Sequence, residues 1–562
     1  MSSIMIVLLG LVGFTFGWFV YSRFISEKIF RLDPDFVTPA HEVNDGVDFV
    51  PTNKFVLWGA HFTSVAGASP IVGPAIAVYW GWVPAVIWVT LGSIFFAGVH
   101  DMGALWASNR HKGRSIGALS ESVIGKRTQT LFMIVIFLLL LMVNAVFGSI
   151  IAAEMIEFDT AVIPSWIVIP LAIAIGVLIR KNYNLLLISI IGVSLLYFSV
   201  WVGSVYPISF PEEIMGINRN AAWILILFTY AAIASMLPVW LLLQPRDYIN
   251  GAQLVVGLIL LYVAVLIAGP EITAPAFNNQ VAEGTPSMFP LLFITIACGA
   301  LSGFHGIVAS GTTSKQLNKE TDARFVGYLG ALGEGSLALI TLVVVSSAMY
   351  AASPDQWHVL YNQFSSGGAS AFITGGGNLL TEAWGIPNVF AQTLLATMVV
   401  LFASTTMDAG VRLQRYIIQE WGVIYNIKVL DNNVVATLVA VGCCLALAFG
   451  AGGPTGGGGN VIWPLFGATN QILASLTLLV LSIFLIKLGR PARYTLVPMV
   501  LVMFIATWGC AVQMLTFYRN EQWLLVVLSV AVLIASIMVI LEAISVFSAL
   551  KKEGAVSADT QN

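Results

Sequence analysis

The sequence has little charge: Asp, Glu, Lys and Arg make up only 9% of its 562 residues, whereas soluble proteins carry about 25%. Hydrophobic residues make up 58% of the chain, and the mean hydropathy is +0.90. This composition excludes an ordinary soluble domain, because long apolar runs need lipid or protein around them. It predicts an all-α membrane protein that crosses the bilayer many times.

The motifs of metal, redox and enzyme chemistry are also lacking. The four cysteines lie in apolar runs without a CxxC spacing, and the six histidines form no HExxH pattern. We therefore predict no disulfide framework, no metal site and no cofactor. The sequence shows no nucleophile–base pair of an enzyme, no ring of charges or filter repeat of a channel, and no soluble output domain of a sensor. The basic residues lie in loops, and we predict no nucleic-acid partner.

Apolar runs predict about fifteen membrane spans, each close to the roughly 20 residues that cross a bilayer as a helix. They lie at 4–21, 55–78, 83–106, 128–151, 162–179, 184–205, 221–243, 252–269, 288–312, 327–350, 386–407, 433–450, 461–486, 494–516 and 522–547. Residues 1–22 are predicted to be a retained anchor helix, because no small-residue cleavage site follows the run. A polar loop at 23–54 comes next.

The basic residues support this order of spans. When successive loops are assigned alternately to two sides, one side receives all of the 25 Lys and Arg except Arg219 and Arg519. The positive-inside rule makes that side cytoplasmic. The N-terminus is then periplasmic, and the tail at 548–562 is cytoplasmic.

The second span, 55–78, contains two glycines and two prolines within eight residues, from Gly67 to Pro74. Proline removes a backbone donor and clashes with the preceding turn, so we predict an interrupted helix. Freed backbone groups cannot face lipid, and such interruptions mark binding sites in transporters. The predicted substrate-binding residues here are Ser64, Ala66, Gly67, Ala68 and Ser69.

A second interruption is predicted around Pro238, about 170 residues later, in a span that enters from the opposite side. Ser235 and Trp240 are its predicted substrate-binding residues. The pairing predicts two five-helix repeats in inverted topology, at 55–206 and 220–410, followed by C-terminal helices at 411–547. The alternative is a proline-kinked helix without a ligand.

Titratable side chains within the spans are the candidates for ion coupling, because such groups are costly in a bilayer and usually face a pathway. The predicted proton carriers are His61, His305, Asp101 and Asp408. Each has a structural alternative, namely a neutral histidine bonded to a carbonyl or an aspartate paired with an arginine. Hydroxyls of Ser302, Ser310 and Thr312 are a possible sodium site, although they could instead bond their own helix.

Several sequence blocks are distinctive: 45–54 (DGVDFVPTNK), 67–74 (GASPIVGP), 303–305 (GFH), 310–317 (SGTTSKQL), 408–412 (DAGVR) and 463–471 (WPLFGATNQ). These blocks are spread along most of the chain and resemble the carbon starvation protein A family. The resemblance implies a bacterial inner-membrane transporter with a LeuT-like core of five-plus-five inverted repeats. One extra N-terminal helix and about four extra C-terminal helices would flank that core. This chain is shorter than the long members of the family, chiefly toward its C-terminus.

Family members are associated with peptide uptake, and a sister branch carries pyruvate with protons. We therefore predict a secondary active transporter that imports short peptides, coupled to protons, by alternating access. The alternative is a symporter of pyruvate or another small carboxylate, coupled to protons or sodium. The predicted partners are this substrate, the coupling ion and the lipid membrane, and the oligomeric state stays open.

Overall fold

The computed structural model describes residues 2–46, 48–181, 183–281, 285, 287–364 and 366–559. The last three residues of the predicted tail lie outside this part of the chain. The principal helices, in chain order, are α1 (Ser3–Phe30), α2 (Lys54–Ala66), α3 (Ser69–Trp80), α4 (Trp82–Arg110), α5 (Ile116–Val123), α6 (Lys126–Glu157), α7 (Asp159–Arg180), α8 (Leu185–Val205), α9 (Arg219–Met236), α10 (Leu243–Ala268), α11 (Met288–Thr295), α12 (Gly303–Gly311), α13 (Arg324–Ser346), α14 (Ala369–Trp384), α15 (Asn388–Ile424), α16 (Asn433–Gly452), α17 (Gly459–Lys487), α18 (Arg493–Arg519) and α19 (Trp523–Asp559). A two-residue hairpin, β1 (Glu213–Ile214) and β2 (Ile217–Asn218), precedes α9.

The predicted class, an all-α protein with many membrane spans, is confirmed. Among the described residues, 13 helices are long and apolar enough to cross a membrane, and the bent pair α2–α3 makes a fourteenth span. The predicted span at 288–312 corresponds to α11 and α12, which are too short to cross individually. The count of about fifteen therefore stays a prediction.

The first predicted interruption is confirmed. Helix α2 ends at Ala66, α3 begins at Ser69, and the two axes are bent by 43°. Gly67 takes φ +52°, and a Cβ there would lie 2.7 Å from Thr406 Oγ1. Only glycine fits this left-handed, closely packed position, so the break is fixed by the local sequence.

The predicted second interruption, around Pro238, is wrong. Helix α9 ends at Met236 and α10 begins at Leu243, and each is long enough to span on its own. Residues 237–242 therefore connect two spans. The polar residues at 244–250, which the sequence pattern assigned to a loop at the end of the interrupted span, instead form the first turns of α10, where Arg246, Asp247 and Asn250 are buried.

The second interrupted rod is α11–α12, broken at residues 296–302, and it runs antiparallel to α2–α3. Along this contact, His61 Nδ1 lies 3.0 Å from Thr313 Oγ1. A Cβ on Gly299 would lie 3.5 Å from Pro70 Cβ, and one on Gly73 would lie 2.5 Å from Thr295 O. The partner residue number falls as the first rod proceeds. The two breaks therefore lie side by side in oppositely directed helices, as the LeuT-like fold requires.

The helices form two packed groups around these breaks. One group contains α2–α3, α4, α11–α12 and α13, and the other contains α6, α9, α15 and α16. Helices α10 and α17 contact members of both groups, while α1 packs on α13 and the pair α18 and α19 packs on α17. The interface between a group with broken helices and a group with continuous helices is where a cargo site is expected.

Candidate functional site

Two adjoining cavities lie where α2 begins. The outer cavity has a volume of about 440 Å³ and is lined by Arg180, Trp240 and Lys315 among others. The inner cavity, of about 70 Å³, extends to His61 and Ser64 near the end of α2. Residues such as Gln244, Thr312 and Arg412 line both. The pair therefore forms a path that runs from one end of the molecule towards the first helix break.

Of the predicted substrate-binding residues, two line the cavities and the others do not. Ser64 lines the inner cavity, and Trp240 lines the outer one with the Arg180 guanidinium 4.3 Å from its ring centre. The residues of the break itself, Ala66, Gly67, Ala68 and Ser69, are buried beyond Ser64. Ser235 is buried outside the two linings, and its hydroxyl donates to Ala232 O at 2.9 Å.

Three helices bring four titratable side chains into one buried cluster. Asp101 on α4 contacts His100 Nδ1 at 2.7 Å through Oδ1 and His305 Nδ1 at 2.8 Å through Oδ2. The opposite nitrogen of His305 lies 3.0 Å from Glu334 Oε2 on α13. All of these side chains have at most 1% exposure. A chain of two carboxylates and two imidazoles in contact can hold and pass a proton without exposing a bare charge to lipid.

His61 lies at the inner cavity, beside the helix that carries Glu334 of this proton cluster, which is defined as His100, Asp101, His305 and Glu334. Its Nδ1 pairs with Thr313, and its Nε2 has no hydrogen-bond partner. Its ring lines the cavity and packs against Gly330 on α13, where a Cβ would lie 3.1 Å from His61 Cδ2, one helical turn before Glu334. The structure thus brings together three of the four predicted proton carriers.

The fourth, Asp408, lies in a different environment. Arg246 Nη1 donates to Asp408 Oδ2, and Tyr230 donates to the same oxygen at 2.9 Å. Asp408 and Arg246 are both fully buried. Asp408 therefore has the structural alternative named above, an aspartate paired with an arginine. The pair is buried among the helices and does not lie at the membrane–water interface. Breaking such a buried pair typically costs about 3–5 kcal/mol.

The hydroxyls considered for sodium have separate partners. Ser302 lies in the second break and shares hydrogen bonds with Asn470 and Cys298. Ser310 accepts from the Ile116 amide at 2.9 Å, whereas Thr312 lines both cavities. The structure therefore spreads these hydroxyls along α12.

Cys298 also lies beside His305 and Glu334, and one ligand atom of each falls within 4.8 Å of the other two. A metal ion here would have only three protein ligands, and water or another ligand would have to complete its coordination shell. The Cys298 thiol, moreover, is already bonded to Ser302 and Asn470. The arrangement is better suited to hydrogen bonding and proton transfer.

Sequence reasoning missed Arg246, Asp247 and Arg412 as site residues. Arg246 and Arg412 were assigned to cytoplasmic loops, because basic residues near span ends satisfy the positive-inside rule, and Asp247 was assigned to the same loop as Arg246. A usable signal was present, since Arg246-Asp247 directly precedes a long apolar run and Asp408 and Arg412 lie one helical turn apart. Charges four residues apart on a helix share a face, but their long-range partners could not be read from spacing.

The amino-acid sequence matches one protein family and several of its named members. The model of the family "Carbon starvation protein CstA" matches residues 2–509. The peptide transporter CstA of Campylobacter jejuni is 33% identical, over 90% of this chain and 80% of the relative. The pyruvate/proton symporter BtsT of Escherichia coli is 31% identical, over 93% and 82%. The peptide transporter CstA of Bacillus subtilis is 31% identical, over 88% and 87%.

Solved structures of similar shape are transporters of low sequence identity. A manganese transporter of Eremococcus coleocola aligns with a TM-score of 0.48 at 12% identity, over 90% of this chain and 99% of that one. MhsT in complex with L-phenylalanine aligns with a TM-score of 0.45 at 14% identity, over 88% and 99%.

Proposed function

Because the chain belongs to the carbon starvation protein CstA family, we propose that it is a secondary active transporter that imports short peptides by alternating access. The observation that carries the mechanism is the pair of antiparallel interrupted helices, α2–α3 and α11–α12, with a polar cavity that reaches the first break. Main-chain groups freed at such breaks are available to cargo and ions.

The proposed resting state is open at the α2 end and closed at the α3 end. At the closed end, Tyr361 donates to Ala75 O at 2.8 Å, and the rings of Trp80 and Phe364 lie 4.9 Å apart. A Cβ on Gly367 would lie 2.3 Å from Ala75 O. Opening the α3 end requires these contacts to separate. In alternating access, this separation accompanies closure of the two cavities at the α2 end.

We propose the bacterial inner membrane as the location, with a periplasmic N-terminus and a cytoplasmic C-terminus. The charge bias of the loops supports this orientation. The cavities then face the cytoplasm, and Arg180 and Lys315 at their mouth lie on the positive side.

The proposed inverted repeats differ from those expected from the sequence. We propose that they run from α2 to α10 and from α11 to α17, instead of 55–206 and 220–410. Each repeat then starts with an interrupted rod and contributes two helices to each packed group, followed by α10 or α17. Helices α7 and α8 are an insertion in the first repeat. The helices beyond the core are then α1 before it and α18 and α19 after it.

Proton coupling is proposed for His61 and the proton cluster. The cluster holds two carboxylates, and uptake of protons would neutralise them as the site closes. Asp408 is a weaker candidate, because Arg246 already compensates its charge. Sodium bound by Ser302, Ser310 or Thr312 is the alternative coupling ion.

A pyruvate/proton symporter is the second candidate function. One relative carries that name, and the basic residues that line the cavities suit a small carboxylate. Both candidates are tested by counterflow in proteoliposomes loaded with unlabelled substrate.

We expect labelled Ala-Ala to exchange against internal Ala-Ala and to accumulate when the exterior is acidified. Protein-free liposomes and a collapsed pH gradient are the controls. Exchange of pyruvate without exchange of Ala-Ala, by protein that is monodisperse, would replace the peptide function with the alternative. Exchange of neither would reject both.

A further inference from the structure

The inner cavity contains one acidic and one basic side chain that lie outside the proposed proton cluster. Asp247 on α10 and Arg412 on α15 both line it, beside Ser64 and Thr312. Asp247 is 6% exposed and Arg412 is 7% exposed. Both side chains are therefore almost fully buried, and both line the inner cavity of about 70 Å³.

Asp247 is incompletely satisfied by the protein. Its Oδ2 accepts from the Ser64 hydroxyl at 3.3 Å, and its Oδ1 has no hydrogen-bond partner. Arg246 Nη2 lies 3.7 Å from Oδ1, but the same guanidinium donates to Asp408 and Tyr230. One arginine thus serves two carboxylates, which leaves the negative charge of Asp247 only partly compensated.

Arg412 has its own main-chain partners. Its Nη2 donates to the carbonyl oxygens of Ala234 and Leu237 at the end of α9, while its Nε has no hydrogen-bond partner. Its positive charge is therefore held at the cavity by carbonyls and keeps the capacity to pair with an anion. A buried carboxylate and a buried guanidinium with unused hydrogen-bonding capacity cost free energy unless a ligand pairs with them.

We propose that Asp247 binds the protonated amino group of a zwitterionic substrate, the N-terminus of a short peptide, while Arg412 faces its carboxylate. This inference rests on the proposed transport function and names the chemistry of its cargo. The amino end lies in the inner cavity beside Ser64, and the remaining residues extend into the outer cavity of about 440 Å³. Arg180 and Lys315, which line the outer cavity, attract the carboxylate of longer peptides.

The same arrangement disfavours a keto acid. Pyruvate offers a carboxylate to Arg412 but nothing to Asp247, so the buried acidic charge stays unpaired. Sites built to pair with a polar group reject analogues that lack it, because the protein group is then left without a partner. Asp247 therefore acts as the residue that selects amino-bearing substrates.

The first test needs no variant and uses competition in the counterflow assay. Exchange of labelled Ala-Ala by the unaltered protein is measured against unlabelled Ala-Ala and against N-acetyl-Ala-Ala, which lacks the amino charge. We expect N-acetyl-Ala-Ala to compete at least about tenfold more weakly, as loss of a charged hydrogen bond predicts. Equal competition would overturn the inference while leaving peptide transport established.

The second test changes the selecting residue. Asp247→Asn is expected to lose the preference for Ala-Ala over N-acetyl-Ala-Ala, whereas Asp247→Glu retains the charge and part of the preference. Asp355→Asn, on an exposed helix outside the cavities, is the matched control. Exchange without a pH gradient isolates recognition from coupling. A preference that survives in Asp247→Asn overturns the inference, and failure of the unaltered protein to exchange any peptide overturns the proposed function instead.

Discussion

Asp101 contacts two histidines at once, and His305 contacts two carboxylates. At the scale of single residues, this alternation of acid and base is what distinguishes the proton cluster from the Arg246–Asp408 pair. An imidazole changes its charge near neutral pH, whereas a guanidinium does not. A group that carries a coupling proton must bind and release it, and the histidine-containing cluster suits this role better than a carboxylate held by an arginine.

The residue-scale prediction concerns coupling. We expect His305→Gln to abolish accumulation of labelled peptide driven by an inward pH gradient, because glutamine cannot accept the proton. Counterflow without a gradient should persist, which also reports that the variant is folded. His61→Gln is expected to slow the gradient-driven uptake, since His61 lines the inner cavity and packs against α13, the helix that carries Glu334.

The matched control is His358→Gln, in the short helix Pro354–Leu360 away from the cluster. It should accumulate peptide as the unaltered protein does. Unchanged pH-driven accumulation in His305→Gln would remove that residue from the coupling path, and the same result in His61→Gln would remove His61.

At the scale of elements, the antiparallel rods meet through glycine. Gly73 on α3 lies so close to α11 that a Cβ would be 2.5 Å from the Thr295 carbonyl oxygen. A Cβ on Gly59 of α2 would meet Tyr248 Cδ2 at 3.9 Å, which is an ordinary van der Waals distance. The two glycines belong to the same interrupted rod, yet of the two only Gly73 has no room for a Cβ.

The element-scale prediction follows from this difference. Gly73→Ala is expected to destabilise the protein by about 1–3 kcal/mol, the usual cost of overpacking, and to lower the thermal midpoint in detergent. Gly59→Ala is the control, and its better helix propensity should leave the midpoint unchanged or raise it. Equal midpoints for the two variants would show that α3 and α11 do not approach as closely as described.

At the scale of the whole molecule, the orientation of the chain decides which compartment the cavities face. Gln244 lines both cavities, whereas Gln280 lies exposed in the connection between α10 and α11. The loop charges predict that Gln244 is reached from the cytoplasm and Gln280 from the periplasm. One pair of positions therefore tests the topology and the open end together.

The molecule-scale prediction uses thiol labelling. Gln244→Cys and Gln280→Cys, each made with Cys443→Ala to remove the half-buried thiol, are treated with a membrane-impermeant maleimide. In inside-out vesicles we expect the first to react and the second to be protected, with the opposite result in right-side-out vesicles. Saturating peptide should slow labelling at Gln244→Cys. Reaction of Gln244→Cys from the periplasmic side would reverse the orientation.

The sequence by itself determined the membrane class and the first helix break. These follow from local properties, namely the length of the apolar runs and the cluster of Gly67, Pro70, Gly73 and Pro74. Such properties act within a few residues of chain. They can therefore be recognised in the sequence without knowing which residues pack together in the folded protein.

Only the tertiary structure decided where the second break lies and which charges are buried. The break at 296–302 has no proline of its own. The Phe304 amide, which lacks a partner within its own helix, donates to Asn470 Oδ1 at 2.9 Å, and Asn470 lies on α17, 166 residues later. Likewise, Arg246 is buried in α10 because Asp408, 162 residues later, compensates it. A paired backbone group or charge costs much less free energy to bury than an unpaired one, and the residues that pair with these groups are distant in sequence.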